Sequence, residues 1–489
     1  MRSSMQRVRP RRRWRSIVTA VTIVAIPLST LALPGRAGAA GAATTTVHWA
    51  ACPTQAGYRC GTLGVPLDYG HPGGGTVALA VIEHPVAHSR GVIILNPGGP
   101  GESGVLILPL LVSLLPSTVR EQFTAVSFDE RGTGSSEPLL CGPTPTAAAS
   151  AVAGTSAAST VFAPLERSCR GAYPALLPTV TTTDSARDMD RLRAALGARR
   201  IDFYGLSYGT VLGSVYRQLF PDHVRSMVLD GAVDANLSLV ADATAEAPAI
   251  QAAVEHALAV CAANPSCPLG SDPVAAYEGL RTRLARTPLP PPGGRDTTPV
   301  TEGDLDTATL LYLSVPSLTP GYLPALASAV TGDGAPLRSV ALGLETDLDN
   351  TSLVGPLWAI TCNDAVARPS ATATAALARS LAARYRLGGA EAVANNLIGC
   401  PGWSGSGAVG HLAPDHAPTT VVVGNTHDPN TPYVSARRLA SDIGGRLVTY
   451  VGYGHTWLLN GSANVCMQAV VGSYLTDGTL PAPGTRCAA

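Results

Sequence analysis

Gly205-Leu206-Ser207-Tyr208-Gly209-Thr210 follows the strand-like run Arg200-Ile201-Asp202-Phe203-Tyr204 and precedes the helix-like run Val211 to Phe220. A Gly-x-Ser-x-Gly turn between a strand and a helix is the sequence form of a nucleophile elbow. The serine sits on a sharply turned backbone, and only residues without a β-carbon let strand and helix come that close. Ser207 is therefore the candidate nucleophile. Five common residues can also make an ordinary glycine-rich turn. The strand-to-helix setting is what favours the elbow, and it obliges the rest of the chain to supply a base, an acid and an oxyanion hole.

Base and acid stand where two later strands end. Thr419-Thr420-Val421-Val422-Val423-Gly424 leads into Asn425-Thr426-His427-Asp428-Pro429, and Arg446 to Val451 leads into Gly452-Tyr453-Gly454-His455-Thr456-Trp457. The chain order Ser207, Asp428, His455 is nucleophile, acid, base, the order that the α/β-hydrolase architecture imposes. His455 would take the serine proton and return it to the leaving group, with Asp428 holding the imidazole tautomer. His427 is the rival base, but it lies one residue from Asp428 and is expected to line the site or face solvent. Upstream, the continuous apolar run Gly91-Val92-Ile93-Ile94-Leu95 reads as a strand buried on both faces. It ends in Asn96-Pro97-Gly98-Gly99-Pro100-Gly101, a loop whose backbone N–H groups can face a ligand. The N–H of Gly99 together with that of Tyr208, the residue after the serine, would form the oxyanion hole.

Around these motifs the chain alternates strands and helices. Gly61 to Tyr69 and Thr76 to Glu83 alternate like an antiparallel pair, Phe123 to Phe128 and Val224 to Asp230 read as further strands, and Thr182 to Leu196 has helical spacing. Pro138 to Ser168, rich in alanine, threonine, serine and proline, reads as a surface excursion. From about Ala235 to Ala417 the alternation gives way to alanine- and leucine-rich helices broken at Pro288 to Gly294 and Pro316 to Pro320. Because sheet-like sequence resumes afterwards, the expected organisation is a leader at 1–39, a core in two parts at 40–234 and 418–489, and an inserted helical cap at 235–417 over the catalytic face.

The leader expectation rests on seven arginines between Arg2 and Arg15 with no acid, the apolar run Ile17 to Leu33, and the small residues Ala37-Gly38-Ala39-Ala40. The run is short for a membrane span and contains Pro27, so cleavage and a secreted or envelope-associated protein are expected, with no stable membrane insertion. Removing 1–39 takes away eight of 34 bases and leaves 26 against 34 acids. Such a surface repels phosphate polymers and excludes nucleic acid as a natural partner. Every base is arginine, which excludes Ser-Lys and Schiff-base chemistry. The ten cysteines of an exported chain suggest disulfides. Spacing pairs them locally as Cys52 with Cys60, Cys141 with Cys169, Cys261 with Cys267, Cys362 with Cys400 and Cys466 with Cys487, although sequence admits other connectivities. No cysteine–histidine cluster has zinc spacing, and no metal or other cofactor is expected.

With these residues in place, the chain resembles the proline iminopeptidase-like α/β-hydrolase serine peptidases, most closely their secreted tripeptidyl aminopeptidase branch. The matching stretches are Gly64 to Tyr69, Leu95 to Gly101, Phe128 to Gly134, Tyr204 to Thr210, Ile360 to Asp364, and the Asp428 and His455 loops. The resemblance implies peptide substrates cut near a free amino terminus, releasing di- or tripeptides. A substrate ammonium in a partly closed cavity requires a carboxylate, or its desolvation is not repaid. Asp364 and Glu102 are the candidates, with Glu246 and Glu255 of the cap as outsiders. Asp364 can instead anchor the cap, and Glu102 can simply favour a helix amino terminus. Because one triad cleaves amides and esters alike, an esterase or lipase-like hydrolase of small molecules is the competing reading.

Overall fold

The computed structural model describes residues 46–489 except 154, 294–295, 344–352, 406 and 408; the leader expected at 1–39 lies outside the described residues. Among the described residues ten strands form one sheet: β1 (Ala50–Ala51), β2 (Arg59–Pro66), β3 (Thr76–His84), β4 (Val92–Asn96), β5 (Thr124–Phe128), β6 (Ile201–Leu206), β7 (Val224–Asp230), β8 (Val421–His427), β9 (Arg446–Tyr453) and β10 (Arg486–Ala488). Their order is β1-β2-β3-β5-β4-β6-β7-β8-β9-β10. The β1–β2, β2–β3 and β3–β5 pairs are antiparallel, and every other pair is parallel.

The central strands carry near-continuous apolar runs because both faces of the sheet are covered. Alternate residues divide between the faces, as the two-residue period of a strand requires. Ile93, Leu95, Tyr204, Leu206, Val228, Val421 and Val423 pack in one cluster with Leu108, Leu111, Trp457, Met467 and Val471, which belong to helices at 104–114, 457–461 and 465–477. Ile94, Phe203, Met227, Leu229 and Val422 pack in the other with Met189, Leu192, Leu212 and Val215, from helices at 182–195 and 209–219.

Between β7 and β8 the described residues form eight α-helices, from Leu239–Ala262 to Gly389–Leu397, over the span expected to be a cap. Their buried side chains, among them Ile250, Leu305, Leu326 and Trp358, join the same apolar cluster as the second face of the sheet. The carboxy-terminal end of the helix Glu302–Ser314 is bonded to two core loops. Ser314 accepts at its carbonyl from the N–H of His455 (2.8 Å), and its Oγ bonds Asn430 Oδ1 (2.8 Å).

One expectation needs correction. Pro138 to Ser168 is not a plain surface excursion: it forms helices at 145–149, 156–162 and 165–172 and buries Leu139, Ala151, Ala153, Ala158 and Leu165. It is also fastened to the inserted helices, with Thr301 Oγ1 donating to Ser150 O (2.7 Å) and Ser150 Oγ to Asp304 Oδ2 (3.0 Å). Ahead of β2, Ala50 and Ala51 pair with it as the short edge strand β1. All five disulfides form as the local spacing suggests: Cys52–Cys60, Cys141–Cys169, Cys261–Cys267, Cys362–Cys400 and Cys466–Cys487.

Candidate active site

Ser207 leaves β6 with φ of 53°, a left-handed conformation that is strained for a residue with a side chain. The turn is held at both ends. The Ser207 N–H donates to Asp230 O at the end of β7 (2.9 Å), while Ser207 O accepts from Thr210 N (2.8 Å) and Thr210 Oγ1 (2.6 Å). The flanking glycines are sterically required. A β-carbon on Gly205 would lie 2.3 Å from Gly209 O, and one on Gly209 would lie 2.7 Å from Asn96 Oδ1.

The loop after β4 comes up against this elbow. Gly98, Gly99 and Gly101 all have positive φ. A β-carbon on Gly98 would stand 2.7 Å from Leu206 O, 2.9 Å from Ser207 Cβ and 3.3 Å from Tyr208 N, so the loop backbone packs directly on the turn. Asn96 fixes the loop by accepting from Gly98 N at Oδ1 (3.1 Å). Tyr208 caps the amino end of the helix Gly209–Leu219, where backbone N–H groups have no partner inside the helix. Gly99, Ser207 and Tyr208 line one cavity.

The imidazole of His455 is nine-tenths buried, and its Nδ1 is 3.0 Å from both oxygens of Asp428. The Asp428 carboxylate also accepts from Asn430 N (3.0 Å), Thr431 N (2.9 Å), Thr431 Oγ1 (2.9 Å) and Thr456 N (3.3 Å). With so many donors on the carboxylate, Nδ1 is left to carry its proton toward Asp428 and Nε2 is the free base. Nε2 is buried with no hydrogen-bond partner among the described residues, so the bond to the Ser207 hydroxyl is not formed in this state. The two residues nonetheless share a neighbour: Asp230 O holds Ser207 N, and a β-carbon on the next residue, Gly231, would lie 3.1 Å from His455 Cε1. Burial pulls the imidazole pKa down, but Asp428, Asp230 and Glu102 outweigh it and raise it above its usual value. His427 does not compete as base: it is exposed and stacked at 4.2 Å on Tyr453.

A family model described as TAP-like protein matches residues 385–487, which include Asp428 and His455. The chain is 33% identical over 480 residues to the serine protease Hip1 of Mycobacterium tuberculosis, covering 90% of this chain and 91% of that protein. It is 34% identical over 457 residues to carboxylesterase B of the same organism, covering 88% and 86%. The chain belongs to the TAP-like family of α/β-hydrolases. The tripeptidyl aminopeptidase of Streptomyces lividans is 38% identical over 215 residues, 40% of each chain. Among solved structures, a proline iminopeptidase of Mycobacterium smegmatis matches with a TM-score of 0.44 and 15% identity, covering 85% of this chain and 97% of that one. As a member of this family the chain is an enzyme of the serine hydrolase class.

In this TAP-like enzyme the cavity beside Ser207 has a volume of about 490 Å³ and lies between the core loops and the inserted helices. Its apolar lining includes Leu237, Leu239, Leu357 and Ile360, and its charged lining includes Asp234, Asp242 and Asp364, with no arginine among the described lining residues. Asp364 reaches the cavity, but its carboxylate is engaged: it accepts from Thr182 N (3.2 and 3.1 Å) and Thr182 Oγ1 (2.5 Å) at the start of the helix Thr182–Ala195. Glu102 is not among the lining residues. Burial raises its carboxyl to about 7, and the charge it exerts falls on His455. Asp242, which the sequence reading passed over, faces the cavity one helical turn before Glu246. Burial, with Asp234 adding to it, raises Asp242 to about 7. No local signal marks it, because acids at i and i+4 repel on a helix but only the fold shows this pair to be buried.

Proposed function

We propose that the protein is an exported serine exopeptidase that releases di- or tripeptides from free amino termini. Ser207 Oγ attacks the scissile carbonyl while His455 Nε2 takes its proton. Asp428 keeps the other imidazole proton in place and stabilises the imidazolium. The N–H groups of Gly99 and Tyr208 receive the negative charge that develops on the carbonyl oxygen. His455 then delivers its proton to the departing amine, and a water activated by the same imidazole releases the acyl group from Ser207. The observation that carries the peptidase reading is the cavity itself: it opens on Ser207, is walled by apolar residues that suit peptide side chains, and presents three carboxylates with no arginine among its described lining residues. Asp242, with Asp234 behind it, is the carboxylate best placed to hold the substrate ammonium, since Asp364 is already bonded and Glu102 lies off the cavity. Five disulfides fit an oxidising compartment and hence export of the chain.

A second reading, ester hydrolysis, is favoured by the carboxylesterase name of one relative with near-complete coverage. Chromogenic tripeptide amides with free and with acetylated amino termini, run beside the matching esters, separate the two. A peptidase of this kind prefers the free amine by at least an order of magnitude, whereas equal cleavage of free and blocked amides removes the exopeptidase assignment. Ser207→Ala should abolish covalent labelling by a fluorophosphonate, and labelling that survives places the nucleophile elsewhere.

A further inference from the structure

Beneath the elbow, four oxygens stand in a row. Asp364 Oδ2 is 2.5 Å from Thr182 Oγ1, which is 2.6 Å from the Tyr208 hydroxyl, which is 3.2 Å from Glu130 Oε2. Three links require three hydrogens. Threonine and tyrosine hydroxyls supply one each, and an ionised carboxylate supplies none. With both carboxyls ionised, the Thr182 proton turns to Asp364 and the Tyr208 proton to Glu130. The 2.6 Å contact between the two hydroxyls then sets lone pair against lone pair.

We propose that Asp364 and Glu130 share one proton through Thr182 and Tyr208, and that this protonated chain is a positioning device for the oxyanion hole. The inference rests on the serine hydrolase reading of Ser207 for its functional part. The chain ends where positioning matters. Glu130 Oε1 accepts from Asn96 Nδ2 (3.1 Å), and Asn96 Oδ1 accepts from Gly98 N (3.1 Å), so the row runs from the cavity to the glycine loop. Tyr208 lies inside it, and its own N–H is the second oxyanion donor. Asp364, Thr182, Tyr208 and Glu130 are thus positioning residues that act through the backbone of residues 98–99 and 208.

The surroundings favour retention of the proton. Thr182 and Glu130 are buried. Burial raises Asp364 to about 7, against the hydrogen bonds from Thr182, with Glu130 and Asp184 adding to the rise. Burial raises Glu130 as well, against the hydroxyl of Ser185 and bonds from Asn96 and Tyr208, with Asp188 adding to the rise. Cations near the chain are largely committed. Arg131 is paired with Asp188 (2.6 Å) and Arg187 with Asp184 (2.9 Å), while Arg368 feels Asp364 and bonds Cys362 O (2.7 Å). Asp364 lines the cavity, which gives the proton a way out to solvent. As pH rises through the titration of this pair the third hydrogen leaves, the Thr182–Tyr208 bond fails, and the oxyanion donors lose their alignment.

Asp364→Asn and Glu130→Gln test this, because either amide can donate the third hydrogen permanently. The probe is the rate of Ser207 phosphonylation by a fluorophosphonate, which carries no amine of its own. In the wild type that rate should fall about tenfold on the alkaline side, an order less than the ~10²–10³ lost when an oxyanion donor is removed outright. In each variant the alkaline fall should be gone. Infrared difference spectra between neutral and alkaline pH should contain, beside the protonated-carboxyl C=O bands of Asp242, Glu102 and Glu391, which burial also raises to about 7, about 7 and about 8, one further such component that both single variants lack, since removing either acid frees the other to ionise. A wild-type rate with no alkaline limb, a limb that persists in the variants, or a carboxyl C=O intensity undiminished from wild type in either variant overturns the proposal. If one variant does not fold, the other and the wild-type spectrum still decide. Failure of Ser207 to label at any pH sinks the serine hydrolase reading instead, and leaves the infrared result standing on its own.

Discussion

Asparagine at position 242 should separate recognition of the substrate ammonium from chemistry at Ser207. The ion pair needs Asp242 deprotonated and the substrate amine protonated. Asp242 titrates at about 7 because burial, helped by Asp234, disfavours its charge. A peptide α-amino group titrates at roughly 7.7–8.0. The carboxylate is therefore present above the first value and the ammonium below the second, so 1/KM for a free tripeptide amide should be bell-shaped with its top near pH 7.5. Even there only about half of encounters carry both charges, given those two values. A hydrogen bond to a charged group contributes roughly 1.5–3 kcal/mol, and partial exposure of Asp242 to solvent places it toward the lower end. Asp242→Asn should then cost about ten- to thirtyfold in kcat/KM for the free amide and leave the acetylated one unchanged. The acidic limb of 1/KM should disappear, while the acidic limb of kcat, which belongs to His455, stays. Equal losses on free and acetylated substrates, or an unaltered 1/KM profile, would refute the reasoning.

Asp428→Asn should lower kcat about 10⁴-fold, because an amide facing Asn430 N, Thr431 N and His455 Nδ1 can no longer fix the tautomer that leaves Nε2 basic. A fall of less than tenfold in kcat, measured on protein that still folds, would release Asp428 from that role. With an acetylated ester as substrate, activity should decline as pH falls through a midpoint above 6.5: the His455 pKa is raised by Asp428, Asp230 and Glu102 against burial, and the protonated ring cannot accept the serine proton. A limb centred well below 6.5 would contradict it. Replacing Cys362 and Cys400 together by serine should destabilise the protein by about 4 kcal/mol, from the loop-closure entropy of 38 residues, read from urea unfolding. A change within error would show that the unfolded chain gains little freedom from that cut.

The Ser207 turn and the meeting of Asp428 with His455 were legible in sequence because each residue stands at the end of a parallel strand, and a fully buried strand announces itself as an apolar run followed by glycine or aspartate. The disulfides were legible because each bridges neighbours in sequence. The edge strands were not: Ala50–Ala51 and Arg486–Ala488 are too short to show alternation. The stretch 138–168 misled because its burial is achieved by Ala151, Ala153 and Ala158, and small residues that close-pack look the same in sequence as small residues in a loop. Asp364 read as facing substrate since nothing local reveals that Thr182, far away in sequence, donates to it twice. Asp242 was overlooked for the converse reason: an acid in the first turn of a helix is usual there, and only the fold turns it toward Ser207.

Asp230 shows how the fold converts separate strand ends into one site. Its backbone carbonyl holds Ser207 N (2.9 Å), while its carboxylate, fully buried, accepts from Trp457 N (2.9 Å), Leu458 N (2.9 Å) and the Tyr204 hydroxyl (2.9 Å). One residue therefore ties the elbow after β6 to the segment that follows His455. A carboxylate in this position is costly, and burial raises its pKa to about 6 despite three donors. An apolar residue would avoid that cost but would leave two backbone N–H groups at the start of the 457–461 helix without partners. From the other side, Ser314 O takes His455 N, so the inserted helices and the sheet both hold the His455 loop. Ser207 is thus held by Asp230 and His455 by Asp428 and Ser314, with no bond from Nε2 to the serine; in the proposed mechanism that bond forms when a substrate carbonyl draws the serine hydroxyl into line.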